Sequence, residues 1–125
     1  MTKKVLVVDD KPPERTATAS ALKLIGYEVE EAASGLNALK RFIADHYDVI
    51  LMDYEMPLMS GPQCTQKIRE YETGTSAKAF IIGVTTGVNK CIQENCVNAG
   101  MDACIDKASG TEEIQRIVNE LAMVS

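Results

Sequence analysis

The chain has 125 residues, with 46% apolar and 25% charged side chains and a formal net charge of −5, the balance of one ordinary soluble domain able to bury a real core. Thirteen Lys and Arg are scattered among eighteen Asp and Glu, which argues against direct nucleic-acid binding, because neutralising phosphates needs a clustered basic surface. No apolar run approaches the roughly 20 residues that cross a bilayer, and residues 1–4 lead into a strand pattern without a secretory apolar region. Four cysteines (Cys64, Cys91, Cys96, Cys104) form no C-x-x-C pair, and the only histidine is His46. The expectation is a reduced chain in the cytoplasm, with no membrane insertion.

Val5-Leu6-Val7-Val8 is a continuous apolar run of the kind buried on both faces of a parallel sheet, and it ends in Asp9-Asp10. Pro12-Pro13 cannot prolong a strand but suit the first turn of a helix. Ala17, Ala21, Leu24 and Ile25 predict that helix's inner stripe, with Gly26 just past its end. Residues 27–32 alternate as an edge strand does. Ser34-Gly35 opens a second helix carrying Leu36, Leu39, Phe42 and Ile43. Val49-Ile50-Leu51-Met52 is another doubly buried run; Asp53 stands at its carboxyl end, and Pro57 forbids continuation as a central strand.

A third helix from about Pro62 is expected to bury Cys64, Ile68 and Tyr71, followed by a polar loop over 72–76. A strand over 79–84 finishes at Thr85-Thr86-Gly87. Helix four, over Lys90–Ala99, turns Ile92, Cys96 and Ala99 inward and is capped by Gly100. A short strand over 103–105 runs into Asp106-Lys107. Helix five follows, with Thr111 as its expected N-cap and Ile114, Ile117, Val118 and Leu121 inward. Five alternations of strand and helix dictate an α/β fold: a three-layer, doubly wound (βα)5 domain over 1–125, parallel in its sheet, with no separate output domain expected.

In a parallel sheet the carboxyl ends of the strands share one edge, where such folds place their chemistry. Asp9, Asp10, Asp53, Thr85 and Lys107 are expected to converge there. Carboxylates crowded together repel one another unless a cation sits among them, and a hard ion with oxygen ligands, Mg²⁺, fits that need. Asp53 then suits nucleophilic attack on phosphorus, with Lys107 and Thr85 as donors to the developing charge. This set can form an aspartyl phosphate but offers nothing for turnover of an organic substrate, so the chain is expected not to be an enzyme. An aspartate-based phosphohydrolase would typically carry Asp-x-Asp at the first strand and add a cap domain, where this chain has Asp9-Asp10 and no room. A flavin binder would need stacking aromatics, and aromatic content is 5%.

Val7-Val8-Asp9-Asp10, Leu51-Met52-Asp53 through Met56-Pro57 to Gly61, Val84-Thr85, Gly100-Met101-Asp102 and Lys107 occur in order. Together they resemble the receiver domain of two-component response regulators, in its stand-alone form, over essentially the whole chain. The resemblance implies a flavodoxin-like sheet of order 2-1-3-4-5. It implies that Asp53 accepts a phosphoryl group from a sensor histidine kinase or a histidine phosphotransfer protein. Mg²⁺ would be held directly by Asp10, Asp53 and the backbone carbonyl of Glu55, and by Asp9 through water. The kinase would dock on helix one near Pro13, Arg15 and Thr16 and on the loop at Ala108. A downstream protein would read helix four, strand five and helix five. The alternative within the family is a degenerate receiver acting as a non-phosphorylated adaptor.

The chain departs from the pattern in four places. Cys104 stands where receivers carry the Tyr or Phe that reports phosphorylation. Ala108 replaces the cis proline after the lysine, and a trans bond is expected, since a cis bond to a non-proline residue costs about 2.5–4 kcal/mol. Thr86 is bulkier than usual at the mouth, and Glu55 overhangs it, so both are expected to modulate the phosphoryl lifetime.

Overall fold

Apolar strands separated by amphipathic segments bury both faces only as a sheet between two helix layers, and the computed structural model has that form. It describes residues 3–76 and 78–124; positions 1, 2, 77 and 125 lie outside the described residues, including the first two of the expected lead into strand one. The elements are β1 (Lys4–Val8), α1 (Pro12–Leu24), β2 (Glu28–Ala32), α2 (Gly35–Ala44), β3 (Val49–Asp53), α3 (Gly61–Thr73), β4 (Phe80–Thr85), α4 (Lys90–Ala99) and β5 (Ala103–Asp106), then a 3-10 turn (Lys107–Ser109) and α5 (Gly110–Val124). The strands pair in parallel in the order β2-β1-β3-β4-β5, the flavodoxin-like order that the family resemblance implied.

Side-chain alternation splits the core in two. Leu6, Val8, Ile50, Met52 and Ile81 face Ala38, Phe42, Cys64, Ile68 and Cys96 of α2, α3 and α4. Val5, Val7, Val49, Leu51, Ile82, Val84 and Ile105 face Ala19, Leu22, Ile114, Val118 and Ala122 of α1 and α5. At ~25 cal/mol per Å² of apolar area, burying each large side chain stabilises by about 1.5–3 kcal/mol, so these layers outweigh any single helix propensity.

Two helix stripes differ from expectation. In α1 the buried residues are Ala19 and Leu22, while Leu24 is 84% exposed. Arg15 and Thr18 occupy the rest of the inner edge and disguise the stripe to a purely apolar count. In α2, Ala38 and Phe42 point inward while Leu36 and Ile43 are half exposed. Tyr47, at the entrance to β3, is fully buried and was not foreseen. Ser34 and Ser60 cap α2 and α3, Ser60 in a reciprocal capping box with Gln63. Helix α5 does not start at a Thr111 cap; it continues from the 3-10 turn through Gly110 at φ +84°.

Between β3 and α3 the loop is held by Gly61. Its N–H donates to the Tyr54 carbonyl at 2.9 Å, and a Cβ there would collide with the Asp53 carbonyl oxygen. This close approach, available to glycine alone, fixes the strand end that carries Asp53.

Candidate functional site

Asp9 and Asp53 lie in phase with Val7 and Leu51, the side chains that face α1 and α5. Two strand ends thus aim their carboxylates at the same layer, and Lys107 reaches them from the end of β5. Lys107 Nζ lies 3.2 Å from Asp53 Oδ1, 3.8 Å from Asp9 Oδ2 and 2.9 Å from Glu14 Oε2. From the other side Lys11 Nζ is 3.5 Å from Asp10 Oδ1 and 3.9 Å from Asp53 Oδ2. One carboxylate oxygen from each of Asp9, Asp10 and Asp53 lies within 4.8 Å of the other two.

The electrostatics are frustrated at one atom. Asp53 is 3% exposed, and its Oδ2 is buried with no hydrogen-bond donor. Burial first, and the charge of Asp9 second, push the Asp53 carboxyl from 3.8 up to about 6 despite both lysines. Burial alone would lower the Lys107 ammonium; the Glu14 hydrogen bond and the charges of Asp53 and Asp9 override it and hold it above its ordinary value. Three crowded carboxylates with one oxygen lacking a donor are a donor set that fits a hard divalent cation.

Below Lys107 a cavity of about 460 Å³ runs between α1 and α5, walled by Ala17, Leu51, Val84 and Ile114, with Asp53 and Glu14 on its polar side. Thr86 lines its mouth. Glu55 is exposed on the opposite flank, in a shallow hollow with Lys11 and Met56. Thr85 is buried, and its hydroxyl donates weakly to the Thr86 carbonyl at 3.4 Å. It stands at the end of β4 with Asp106 of β5 as its register partner. Cys104 is half-buried against the α4 side of the core. Every peptide bond among the described residues is trans, Lys107–Ala108 included.

Ala108 sits in the 3-10 turn, its N–H held by Asp106 Oδ1 at 2.9 Å. Arg15, expected on a docking face, is turned inward: it donates to the Asp9 carbonyl at 2.9 Å and pairs with Glu31 at 3.0 Å. His46 is an exposed partner of Asp48. Three contributors were missed. Lys11 had a signal, a cation beside two acids. Asp106 had another, an acid poised to close a turn two residues on. Glu14 had none, because its pairing spans 93 residues.

The response regulator receiver domain family model matches residues 5–119. This chain belongs to that family. It is 31% identical to sensor protein EvgS of Escherichia coli over 121 residues, which is 97% of this chain and 10% of that protein. It is 39% identical to hybrid signal transduction histidine kinase L of Dictyostelium discoideum, covering 94% of this chain and 7% of that one. The chain thus spans about a tenth of the length of the curated relatives it matches. Among solved structures, the receiver domain of sensor histidine kinase PA1611 from Pseudomonas aeruginosa, with magnesium in its active site cleft, superposes with a TM-score of 0.85 at 30% identity, over 98% of both chains.

Proposed function

We propose that the chain, as one receiver domain over 1–125, is a phosphoacceptor module. Asp53 takes a phosphoryl group from a phosphohistidine on a sensor histidine kinase or a histidine phosphotransfer protein. The modified domain then alters the binding of a downstream protein, or relays or drains the phosphate. The carrying observation is Asp53 Oδ2, a buried carboxylate oxygen without a donor while Lys107 neutralises its twin. The kinase relatives favour a histidine donor.

In the transfer an Asp53 oxygen forms a bond to phosphorus as the phosphorus–nitrogen bond breaks. The leaving imidazole nitrogen keeps the electron pair and takes a proton from solvent. Lys107 stabilises the equatorial oxygens, for which its ammonium must exchange Glu14 for the phosphoryl group. The Thr85 hydroxyl joins by leaving the Thr86 carbonyl. Asp10, Asp53, the Glu55 carbonyl and, through water, Asp9 would hold Mg²⁺, which would supply the charge neutralisation that the acids and the phosphoryl oxygens need. Thr86 and Glu55 flank the mouth on opposite sides and control the approach of hydrolytic water. Catalysis is confined to the domain's own phosphorylation and dephosphorylation. Among the described residues no helix is long and apolar enough to cross a membrane; we place the domain in the cytoplasm, without direct nucleic-acid contact.

Phosphoramidate with Mg²⁺, read by intact mass, tests this. One phosphoryl adduct on the wild type and none on Asp53→Asn is the expected result. No adduct on the wild type, or an undiminished one on Asp53→Asn, overturns it.

A further inference from the structure

Helix α4 ends in a closed loop of two hydrogen bonds. Gly100 is left-handed at φ +103°, its N–H bonds the Val97 carbonyl at 3.0 Å, and the Met101 N–H bonds the Cys96 carbonyl at 3.0 Å. This Schellman closure brings the side chains of Cys96 and Met101 together at the helix end. Beneath them lies Gly83 of β4. The place its Cβ would take is surrounded by sulfur, with Met101 Sδ 2.5 Å and Cys96 Sγ 3.3 Å away. Across the ladder Gly83 pairs with Cys104. Partners on parallel strands present the same face, and Cys104 packs against the core cluster that holds Cys96 and Met101. Cys96 is 1% and Met101 7% exposed, while Cys104 is half-buried.

Two thiols and a thioether are therefore gathered on one side of β4 and β5, two of the sulfurs at the space that the absent side chain of Gly83 leaves. The phosphoacceptor chemistry uses none of them. Thiolate and thioether ligands select soft cations such as Cu(I) over hard ones such as Mg²⁺. We propose that Cys96, Cys104 and Met101 form a binding site for one soft d¹⁰ cation of the Cu(I) class. Binding forms two metal–thiolate bonds and one thioether bond. Both thiol protons go to solvent, no electron is transferred, and a monovalent cation leaves a complex of net charge −1. Burial, with Cys104 adding to it, pushes the Cys96 thiol up to about 12. Without such a cation the pair stays protonated, and an ion of low thiolate affinity cannot displace the protons. Cys104 provides the entry. Occupancy ties the end of α4 to β5, three residues before Lys107.

The other cysteines are internal controls: Cys64 donates to the Gly35 carbonyl at 3.3 Å, and Cys91 is exposed. The test is anaerobic competition of the full chain with bicinchoninate for Cu(I), with native mass spectrometry for stoichiometry. One Cu(I) per chain is expected, held at least tenfold more weakly by Cys104→Ser and Cys96→Ser, a few-fold more weakly by Met101→Leu, and unchanged by Cys91→Ser. Should Cys96→Ser fail to fold, Cys104→Ser, at a half-exposed site, carries the test. Failure of the wild type to retain Cu(I) overturns the site, as does undiminished affinity in Cys104→Ser or loss of binding in Cys91→Ser.

Discussion

At the end of β1, Asp9 Oδ1 accepts the N–H of Lys11 at 2.9 Å; at the end of β5, Asp106 Oδ1 accepts the N–H of Ala108, also at 2.9 Å. Both are aspartate turns closed two residues on. Their second oxygens part company. Asp9 Oδ2 faces Lys107 at 3.8 Å inside the carboxylate cluster, whereas Asp106 Oδ2 reaches the loop after β4 and accepts the Val88 N–H at 3.4 Å. The cause is position in the sheet. Strand β1 has neighbours on both sides, and its end is enclosed, while β5 is an edge. The same local device becomes part of an electrostatic conflict in one place and a tie between two loops in the other.

If the central acids carry that conflict, removing the charge of Asp53 must stabilise the fold. The folded chain holds this proton more tightly than the unfolded chain, about 6 against 3.8. The wild type therefore loses stability relative to Asp53→Asn as pH rises from about 4 to about 6. The variant's advantage is absent below about 4, complete above about 6, and worth up to ~3 kcal/mol. Urea denaturation at pH 4 and pH 7 measures it, and Mg²⁺ at pH 7 should narrow the gap by stabilising the wild type. Equal stability at pH 7 without Mg²⁺ would remove the conflict from the account.

Gly61→Ala breaks the enclosed side alone. Its Cβ strikes backbone that cannot yield, at a cost of about 2 kcal/mol in denaturation, while exchange of the Ala108 amide stays as in the wild type. Asp106→Ala does the reverse. It should cost about 1 kcal/mol and speed hydrogen exchange at Ala108 and Val88 without moving the Asp53 titration. The finest discrimination is Asp9→Asn. It keeps an acceptor for Lys11 but removes the charge that raises Asp53, so the Asp53 carboxyl, followed by carbon NMR, must titrate lower. An unmoved titration would assign the rise to burial alone.

Much of this was legible in the chain. The runs before Asp9 and Asp53 announced buried strands, and five alternations with helices left one topology class. That acids and a lysine at strand ends would gather followed from parallel pairing. The inner stripe of α1 was not legible, because Arg15 and Thr18 occupy its edge, and the bonds of Arg15 appear only once Asp9 and Glu31 are its neighbours. Thr85 was legible as a polar strand end, but its hydroxyl's partner, the Thr86 carbonyl, was not. The approach of Cys96 and Met101 to Gly83 was not legible either, since a helix closure and strand packing bring them there.

The sequence alone determined the element order, the sheet class and the identity of the acids at its working edge, since strand and helix periodicities and turn chemistry are local properties of the chain. Tertiary structure decided which oxygen of Asp53 lacks a donor, that Glu14 competes for Lys107, and that Cys96 and Met101 bring their sulfurs to the open side of Gly83. These depend on distances between strands and helices far apart in sequence, which strand order and phase set and no local pattern contains.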